Sequence, residues 1–321
     1  MTLAPLPDVS GDWFAAMRRG DWEAAWRATD RIELPRRAQQ GQPGFQRRPE
    51  HLRWDGTPAA GRTVLVRCEH GLGDTLQFLR FLPCLGARHI HFLVQPMLVD
   101  LLRDAPGLGE VRNYWTDEPL PPHDVDLEVM ELAYALRLCI DRLPPPYPHL
   151  RAQLRRHGLV IPEDGRLRVG LLWAASDWDA TRTVPLPALA PLFALEDVQL
   201  YSLQQGEAAA DPLLRRLDIE LLSPRTQEIT DAAAAMCAFD LVICVDGMPA
   251  HLAGTLGLPT WVLLKHEADW RWMEGREDTP WYPTMRLFRQ PRPGDWASVG
   301  REVAGALEGV VRERARVGVV T

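Results

Sequence analysis

Residues 240–264 read DLVICVDGMPAHLAGTLGLPTWVLL. The opening DLVICVD is nearly continuous in apolar residues, which suits a strand covered on both faces. It ends in a carboxylate and a glycine. PAHLAGTLG follows, built of small and apolar residues, with Pro249 suited to a first helical turn. Gly257 and Pro259 mark a break before TWVLL (260–264), a second short apolar run. Strand, helix and strand in so short a span make one crossover unit of a parallel sheet.

The same alternation runs outward from this stretch. Upstream lie strand RVGLLWA (168–174), an expected helix over LPALAPLFAL, strand VQLYSLQ (198–204), helix PLLRRL and strand IELLS. An alanine-rich helix, TDAAAAMCA, then follows with Thr230 or Asp231 as its cap. A second array begins at RTVLVRCEH (62–70) and continues through GLGD, helix TLQFLRFLPCL, strand HIHFLVQ (89–95), helix MLVDLLRDA, a turn at 106–109, strand EVRNYW and HDVDLEVME. Between the arrays stands LPPPYPHL (143–150), whose three consecutive prolines can extend neither a helix nor a central strand. The pattern predicts an α/β protein of two Rossmann-like domains with a cleft between them. Residues 35–150 form the first and 151–321 the second. The closing run WASVGREVAGALEGVVRERARV is an amphipathic helix that either stays with the second domain or crosses back.

Residues 1–34 form a helical extension. Gly-Asp-Trp occurs at 11–13 and again at 20–22, with Asp12 and Asp21 as expected N-caps. These helices are too few to stack as a solenoid, so they must pack on the body that follows. Residues 35–62 are rich in Pro, Gly, Gln and Arg and read as a surface linker.

Charge and cysteine usage narrow the function. The net charge is −7, so no overall basic field attracts nucleic acid. Lys265 is the sole lysine, which leaves arginine forks, backbone N–H groups and that one ammonium to bind anions. The five cysteines form no CxxC pair and read as reduced thiols of a cytoplasmic protein. No apolar run approaches the ~20 residues of a membrane span, and no metal cluster is expected. Asp124-Val125-Asp126 mimics a metal-binding DxD, but a strand-edge role for both carboxylates fits better. No GxSxG elbow supports a serine hydrolase.

In open α/β sheets, ligands sit beyond the carboxyl ends of strands, where helix N-termini supply N–H groups. That rule selects three loops. In Glu69-His70-Gly71-Leu72-Gly73-Asp74, the glycines permit close backbone approach, and Asp74 is either a helix cap or a cleft carboxylate able to take a proton. In Asp246-Gly247-Met248-Pro249-Ala250-His251, backbone N–H groups suit a phosphate, and His251 faces either the ligand or the protein interior. In Trp173-Ala174-Ala175-Ser176 with Arg182, one arginine either grips a diphosphate bidentately or makes a surface ion pair. The run Trp270, Arg271, Trp272, Trp281, Tyr282, with Arg276 and Arg289, serves packing or stacks on a base or sugar. His70, Gln77, Lys265, Trp270, Arg271 and Trp272 complete the candidate cleft.

Several long segments then agree in order with one bacterial group. EHGLGDTLQFLRFLP, RVGLLWA, TRTVPLPALAPL, YSLQQG, residues 240–264 and DWRWMEGREDTPWYPTMRLFRQPRPGDW resemble glycosyltransferase-family-9-like (ADP-heptose transferase-like) domains. Such domains often follow tetratricopeptide repeats. The likeness covers roughly residues 50–310, and GDWEAAWRATDRIEL resembles a final degenerate repeat helix. The resemblance implies the GT-B plan. It also implies an inverting, metal-independent transferase using a nucleotide-diphosphate sugar, ADP-, GDP- or UDP-linked, with no resident cofactor. The acceptor is a protein, peptide or saccharide. Asp74 becomes the general base. Trp173, Ala174, Arg182, Ser202, Gln204, Gln205, Asp246, Gly247, Met248 and His251 become the donor wall.

The chain departs from the family pattern in that wall. The usual Asp-Thr is Asp246-Gly247, the usual Ser-Leu-Gln-Lys ends in Gln205, and Ala-Ala-Ser with Asp179-Ala180-Thr181-Arg182 replaces Gly-Asn-Pro and Asn-Asp-Arg. Each lost charge-assisted contact is worth about 1.5–3 kcal/mol, so Arg182 must carry more of the load. Two readings follow: an active sugar transferase, or a GT-B-fold binding or scaffold protein with weakened catalysis.

Overall fold

The computed structural model describes residues 8–42, 45, 51–147, 149–154, 161–175 and 177–318. The chain divides into two compact units, and the division falls between Pro145 and Pro146, inside the triple-proline run. The first unit holds residues 1–145 together with 269–275; the second holds 146–268 and 276–321.

The first unit is built on β1 (Thr63–Arg67), β2 (His89–Val94), β3 (Glu110–Asn113) and β4 (Val125–Glu128), in the order β3-β2-β1-β4. Every pairing is parallel. Val64, Leu65 and Val66 of central β1 are fully buried. That is the environment an unbroken β-branched run requires. Two helices precede the sheet, α1 (Ser10–Arg18) and α2 (Trp22–Gln39). Both pack on the body: the Trp26 indole N–H donates to the Leu138 carbonyl at 2.6 Å, and Asp30 accepts from Tyr134 and Arg137. Glu33 and Arg36 form a buried ion pair. Its spare donors and acceptors go to the backbone, Arg36 donating to the Trp54 carbonyl and Glu33 accepting from the Leu52 N–H. This satisfies charges that burial would otherwise penalise.

Within the same unit α3 (Leu72–Phe78) follows β1, α4 (Pro96–Leu102) follows β2, and α5 (Leu132–Ala135) closes the segment after β4. Residues 269–275 join this unit from far along the chain: Trp270 packs edge-on against Trp13 at 5.2 Å, and the Glu274 N–H donates to the Arg18 carbonyl.

The second unit opens with α6 (Leu150–Leu154). Its sheet comprises β5 (Leu167–Leu172), β6 (Val198–Ser202), β7 (Ile219–Leu221), β8 (Leu241–Val245), β9 (Thr260–Leu264) and β10 (Met285–Arg289), in the order β10-β9-β8-β5-β6-β7. All pairings are parallel. Helix α7 (Ile229–Met236) leads into β8, α8 (Met248–Thr255) joins β8 to β9, and α9 (Trp296–Gly318) follows β10. Trp296, Val299, Val303 and Leu307 bury one stripe of α9 in this unit's core, at the three-to-four-residue spacing of a helix face.

Several local expectations change. LPALAPLFAL is two 3-10 turns, Leu186–Leu189 and Leu192–Ala194, because prolines at 185, 187 and 191 deny a continuous α ladder. TLQFLRFLPCL is α-helical only to Phe78 and continues as 3-10 through Pro83. PLLRRL is also a 3-10 turn. Helix α7 starts at Ile229 with Glu228 in the N-cap position, so Thr230 and Asp231 lie inside its first turn. Asp12 lies inside α1, whose N-cap is Val9, whereas Asp21 does cap α2 by accepting from the Ala24 N–H. The repeated Gly-Asp-Trp is thus a helix interior the first time and a helix start the second. The strand β10 had no expectation in the sequence.

Packing of α9 is tight enough to test. A Cβ on Gly300 would stand 1.8 Å from the Ala188 carbonyl oxygen, whereas one on Gly305 meets nothing within 4 Å. We expect Gly300→Ala to destabilise the protein by about 1–3 kcal/mol through forced displacement. Gly305→Ala should raise stability by about 0.5–1 kcal/mol through reduced chain entropy. Thermal unfolding of the two variants beside the parent protein checks the pair.

Candidate functional site

Each sheet reverses its strand order once. In the first unit the reversal lies between β1 and β4, and in the second between β5 and β8. The loops leaving those strands diverge to opposite sides, which opens a crevice at the carboxyl edge. Both crevices hold the chemistry-bearing residues.

In the first unit, β1 runs into His70, Gly71 and Gly73, and Asp74 stands in the first turn of α3. Its Oδ2 accepts from the Gly71 N–H at 2.9 Å, so it does cap this helix. Its Oδ1 accepts from Arg271 at 2.5 Å. Arg271 is fixed from every side: Nε donates to Gln77 Oε1 at 2.8 Å, Nη1 donates to Asp269, and its guanidinium lies 4.4 Å over the Trp270 ring. Gln77 is fully buried. The His70 carbonyl accepts from Gln95, whose own carbonyl accepts from Thr75. Asp74, Gln77, Trp270 and Arg271 therefore form one cluster. Trp272 is buried in the same segment.

Glu128, at the end of β4, was not singled out by sequence reasoning. It accepts from the Met130 N–H at 2.7 Å and the Glu69 N–H at 3.3 Å, with His70 Nε2 3.8 Å away. Burial pushes its pKa up to about 8. Its position at a strand end on the reversal was the available signal. Asp124 and Asp126 take structural roles: Asp124 accepts from the Thr63 N–H and Asp126 is gripped twice by Arg67.

In the second unit, the loop after β5 and the start of α8 meet. Arg182 donates to the Asp246 carbonyl at 3.2 Å and to the Asp179 carbonyl at 3.4 Å, and its guanidinium lies 5.3 Å from the Trp178 ring. Lys265, at the end of β9, donates to Asp179 Oδ2 at 2.7 Å. Hydrogen bonds from Lys265 and Thr181 hold the Asp179 pKa down to about 2. Arg182, Asp246 and Lys265 thus converge, with Asp179 as the partner that the sequence reading did not propose. Ser176 lies outside the described residues.

The remaining candidates make contacts within the protein. Gln204 Oε1 accepts from the Trp173 and Ala174 N–H groups, strapping β6 to the loop after β5. Ser202 Oγ accepts from the Gln204 N–H, and Gln205 donates to the Thr226 carbonyl. Gly247 is in extended backbone, and Met248 opens α8 with Pro249 behind it. His251 is buried, with Nδ1 3.0 Å from the Tyr282 hydroxyl. The aromatic run is divided: Trp270 and Trp272 belong to the first unit, Trp281 and Tyr282 to the second, and all four are buried.

No protein-family profile matches the chain. It is similar to Protein FlbA of Caulobacter vibrioides, 26% identical over 290 residues, covering 80% of this chain and 48% of that protein. The chain thus spans about half the length of this curated relative. Among solved structures it is similar to a glycosyl transferase family 9 protein from Veillonella parvula, with a TM-score of 0.57, 14% identity and coverage of 80% of this chain and 99% of that one. It is also similar to the ADP-heptose LPS heptosyltransferase II of E. coli (TM-score 0.56, 14% identity, 79% and 99% covered). A third is the E. coli heptosyltransferase WaaC with ADP-2-deoxy-2-fluoro heptose (TM-score 0.53, 13% identity, 78% and 99% covered). The chain has the GT-B fold of these glycosyltransferases.

The buried carboxyl of Glu128 has a consequence for stability. In the folded unit it holds its proton up to about pH 8, against an ordinary value of 4.5. Stability from that proton is complete below about pH 4.5 and is lost as pH rises through 8. Glu131, raised by burial as well, acts in the same direction. Glu128→Gln should therefore lose less thermal stability than the parent between about pH 5 and about pH 8. Melting temperatures across that range check it; equal slopes would refute it.

Proposed function

We propose that this protein is an inverting, metal-independent glycosyltransferase that moves a sugar from a nucleotide-diphosphate donor to a protein, peptide or saccharide acceptor. The observation that carries the reading is the convergence of Arg182, Lys265 and the α8 N-terminus at the strand reversal of the second unit, in a fold shared with glycosyltransferases. A departing nucleoside diphosphate needs positive charge where its negative charge develops. Here a guanidinium fork and an ammonium supply it. Asp179 holds that place in the resting protein. A diphosphate competes with it for Lys265 and Arg182.

On the acceptor side, Asp74 is the group assigned to take the hydroxyl proton, with Arg271 as its orienting partner. Removing the proton as the hydroxyl attacks contributes about 10²–10⁴-fold. For that step Oδ1 exchanges Arg271 for the acceptor hydroxyl while Oδ2 stays on the Gly71 N–H. The donor nucleotide is ADP, GDP or UDP. No helix among the described residues is long and apolar enough to cross a membrane, and the free cysteines agree with a cytoplasmic setting.

One observation favours a second reading. Both Asp74 oxygens are occupied, one by the helix cap and one by Arg271, which is also how a purely structural carboxylate looks. On that reading the protein binds a nucleotide or partner without turnover.

Thermal shift against nucleotides and nucleotide sugars, followed by donor turnover, separates the two. A transferase shows melting-temperature increases with one nucleotide class and turnover that falls by about 10²–10⁴-fold in Asp74→Asn. Arg182→Ala should weaken the nucleoside diphosphate about 10–100-fold. Binding without turnover, or turnover indifferent to Asp74→Asn, supports the second reading. No shift with any nucleotide overturns the transferase reading and the nucleotide-binding form of the second.

A further inference from the structure

The amino ends of β2 and β3 carry a group of side chains that the proposed transfer reaction does not use. His89 and His91 stand two residues apart on β2 and so share one face of the sheet. His91 is directly paired with Glu110, the first residue of β3. The preceding Gly109 explains how β3 starts so close: it has φ +80°, and a Cβ there would stand 2.4 Å from the Ile90 carbonyl oxygen. Only glycine permits that approach.

The three side chains point their donor atoms at one place. Glu110 Oε2 lies 2.9 Å from His91 Nδ1 and 3.5 Å from His89 Nε2. All three donor atoms fall within 4.8 Å of one another. The imidazole rings meet edge-on with centroids 4.4 Å apart. Glu110 keeps Oε2 free for this face because its other oxygen is held by Arg112 at 2.7 Å. Tetrahedral zinc, with bonds of about 2.0–2.1 Å, places neighbouring ligand atoms about 3.3 Å apart. The two observed separations bracket that spacing.

We propose that His89, His91 and Glu110 form a binding site for one divalent transition-metal ion of the zinc class, with water in the fourth position. Two imidazole nitrogens and one carboxylate oxygen suit such borderline ions and do not suit magnesium or calcium. The ion replaces the proton between His91 Nδ1 and Glu110, and the histidines bind as neutral rings through Nδ1 and Nε2. Arg112 then orients the liganding carboxylate from outside the coordination sphere.

The site's place in the fold points to a structural role. His89 is paired with Thr63, the first residue of β1, whereas Asp74 follows the far end of that strand. About a strand length, roughly 15 Å, separates the two. The ion would clip edge strand β3 to β2 and leave the reacting groups alone.

The test uses the full chain stripped of metal and titrated with Zn(II) by calorimetry, with Co(II) absorption reporting the geometry. We expect one equivalent to bind with tetrahedral Co(II) bands and a rise in melting temperature. The double variant His89→Ala/His91→Ala should lose that equivalent, with at least about 30-fold weaker binding, and Glu110→Gln should weaken it about 10-fold. His123→Ala, at a histidine outside the group, should bind as the parent does. Circular dichroism establishes that the double variant folds. Zinc stoichiometry unchanged in the double variant, or no zinc uptake by the parent chain, overturns the proposal.

Discussion

A strand covered on both faces tolerates few polar side chains along its length, so a protein built from such strands must carry its chemistry at their ends. Central β1, β8 and β9 obey this closely. Parallel pairing adds a second demand, because every strand has to leave from the same edge. Where the strand order reverses, departing loops separate, and the polar groups excluded from the strands collect there. Glu69, His70 and Asp74 follow β1, and Glu128 ends β4. Asp246 follows β8, and Lys265 follows β9. The address of each residue is a result of burial before it is a matter of catalysis.

Both collections pair their charges internally. In the first unit Arg53 pairs with Glu69 and Arg271 with Asp74, while the buried Glu128 and Glu131 accept from backbone N–H groups. The second gathers Arg182 and Lys265, compensated by Asp179. In each case the group that a substrate would use already has an internal partner. Such pairing keeps a partly buried charge from standing alone, which would be far more unfavourable than exchanging one partner for another. A ligand bound at either place would compete with a carboxylate or a guanidinium, and its affinity would reflect the difference between two ion contacts.

Much of this architecture is legible in the sequence, and the failures have physical reasons. Apolar runs such as LVICV and TWVLL announce strands because nothing polar interrupts them. The run 186–195 misleads because its leucines have helical spacing while its prolines remove the hydrogen bonds a helix needs. Met285–Arg289 hides as a strand because Arg286 and Arg289 flank its apolar positions and aromatic and proline residues surround it. The Asp74 cap is readable at three residues' distance, since Gly71 is adjacent in sequence. Its arginine is not: Arg271 lies 197 positions away, and no local rule connects them. Asp179 escapes for the complementary reason, since a carboxylate beside an arginine reads as a surface pair until Lys265 is brought to it by β9.

The passage of residues 269–275 into the first unit has a consequence for synthesis. A chain emerging from the ribosome presents β1 to β4 long before Arg271 exists. During that interval the Asp74 loop has its helix cap but no guanidinium, and Trp13 has no Trp270 to meet. The first unit can gain its secondary structure early, yet its charge balance is finished only after β5 to β9 of the second unit have been made. Cutting the gene at the triple proline would not yield two self-sufficient halves. It would leave one fragment lacking its counter-ion and the other carrying a tryptophan-rich segment with nowhere to bury it.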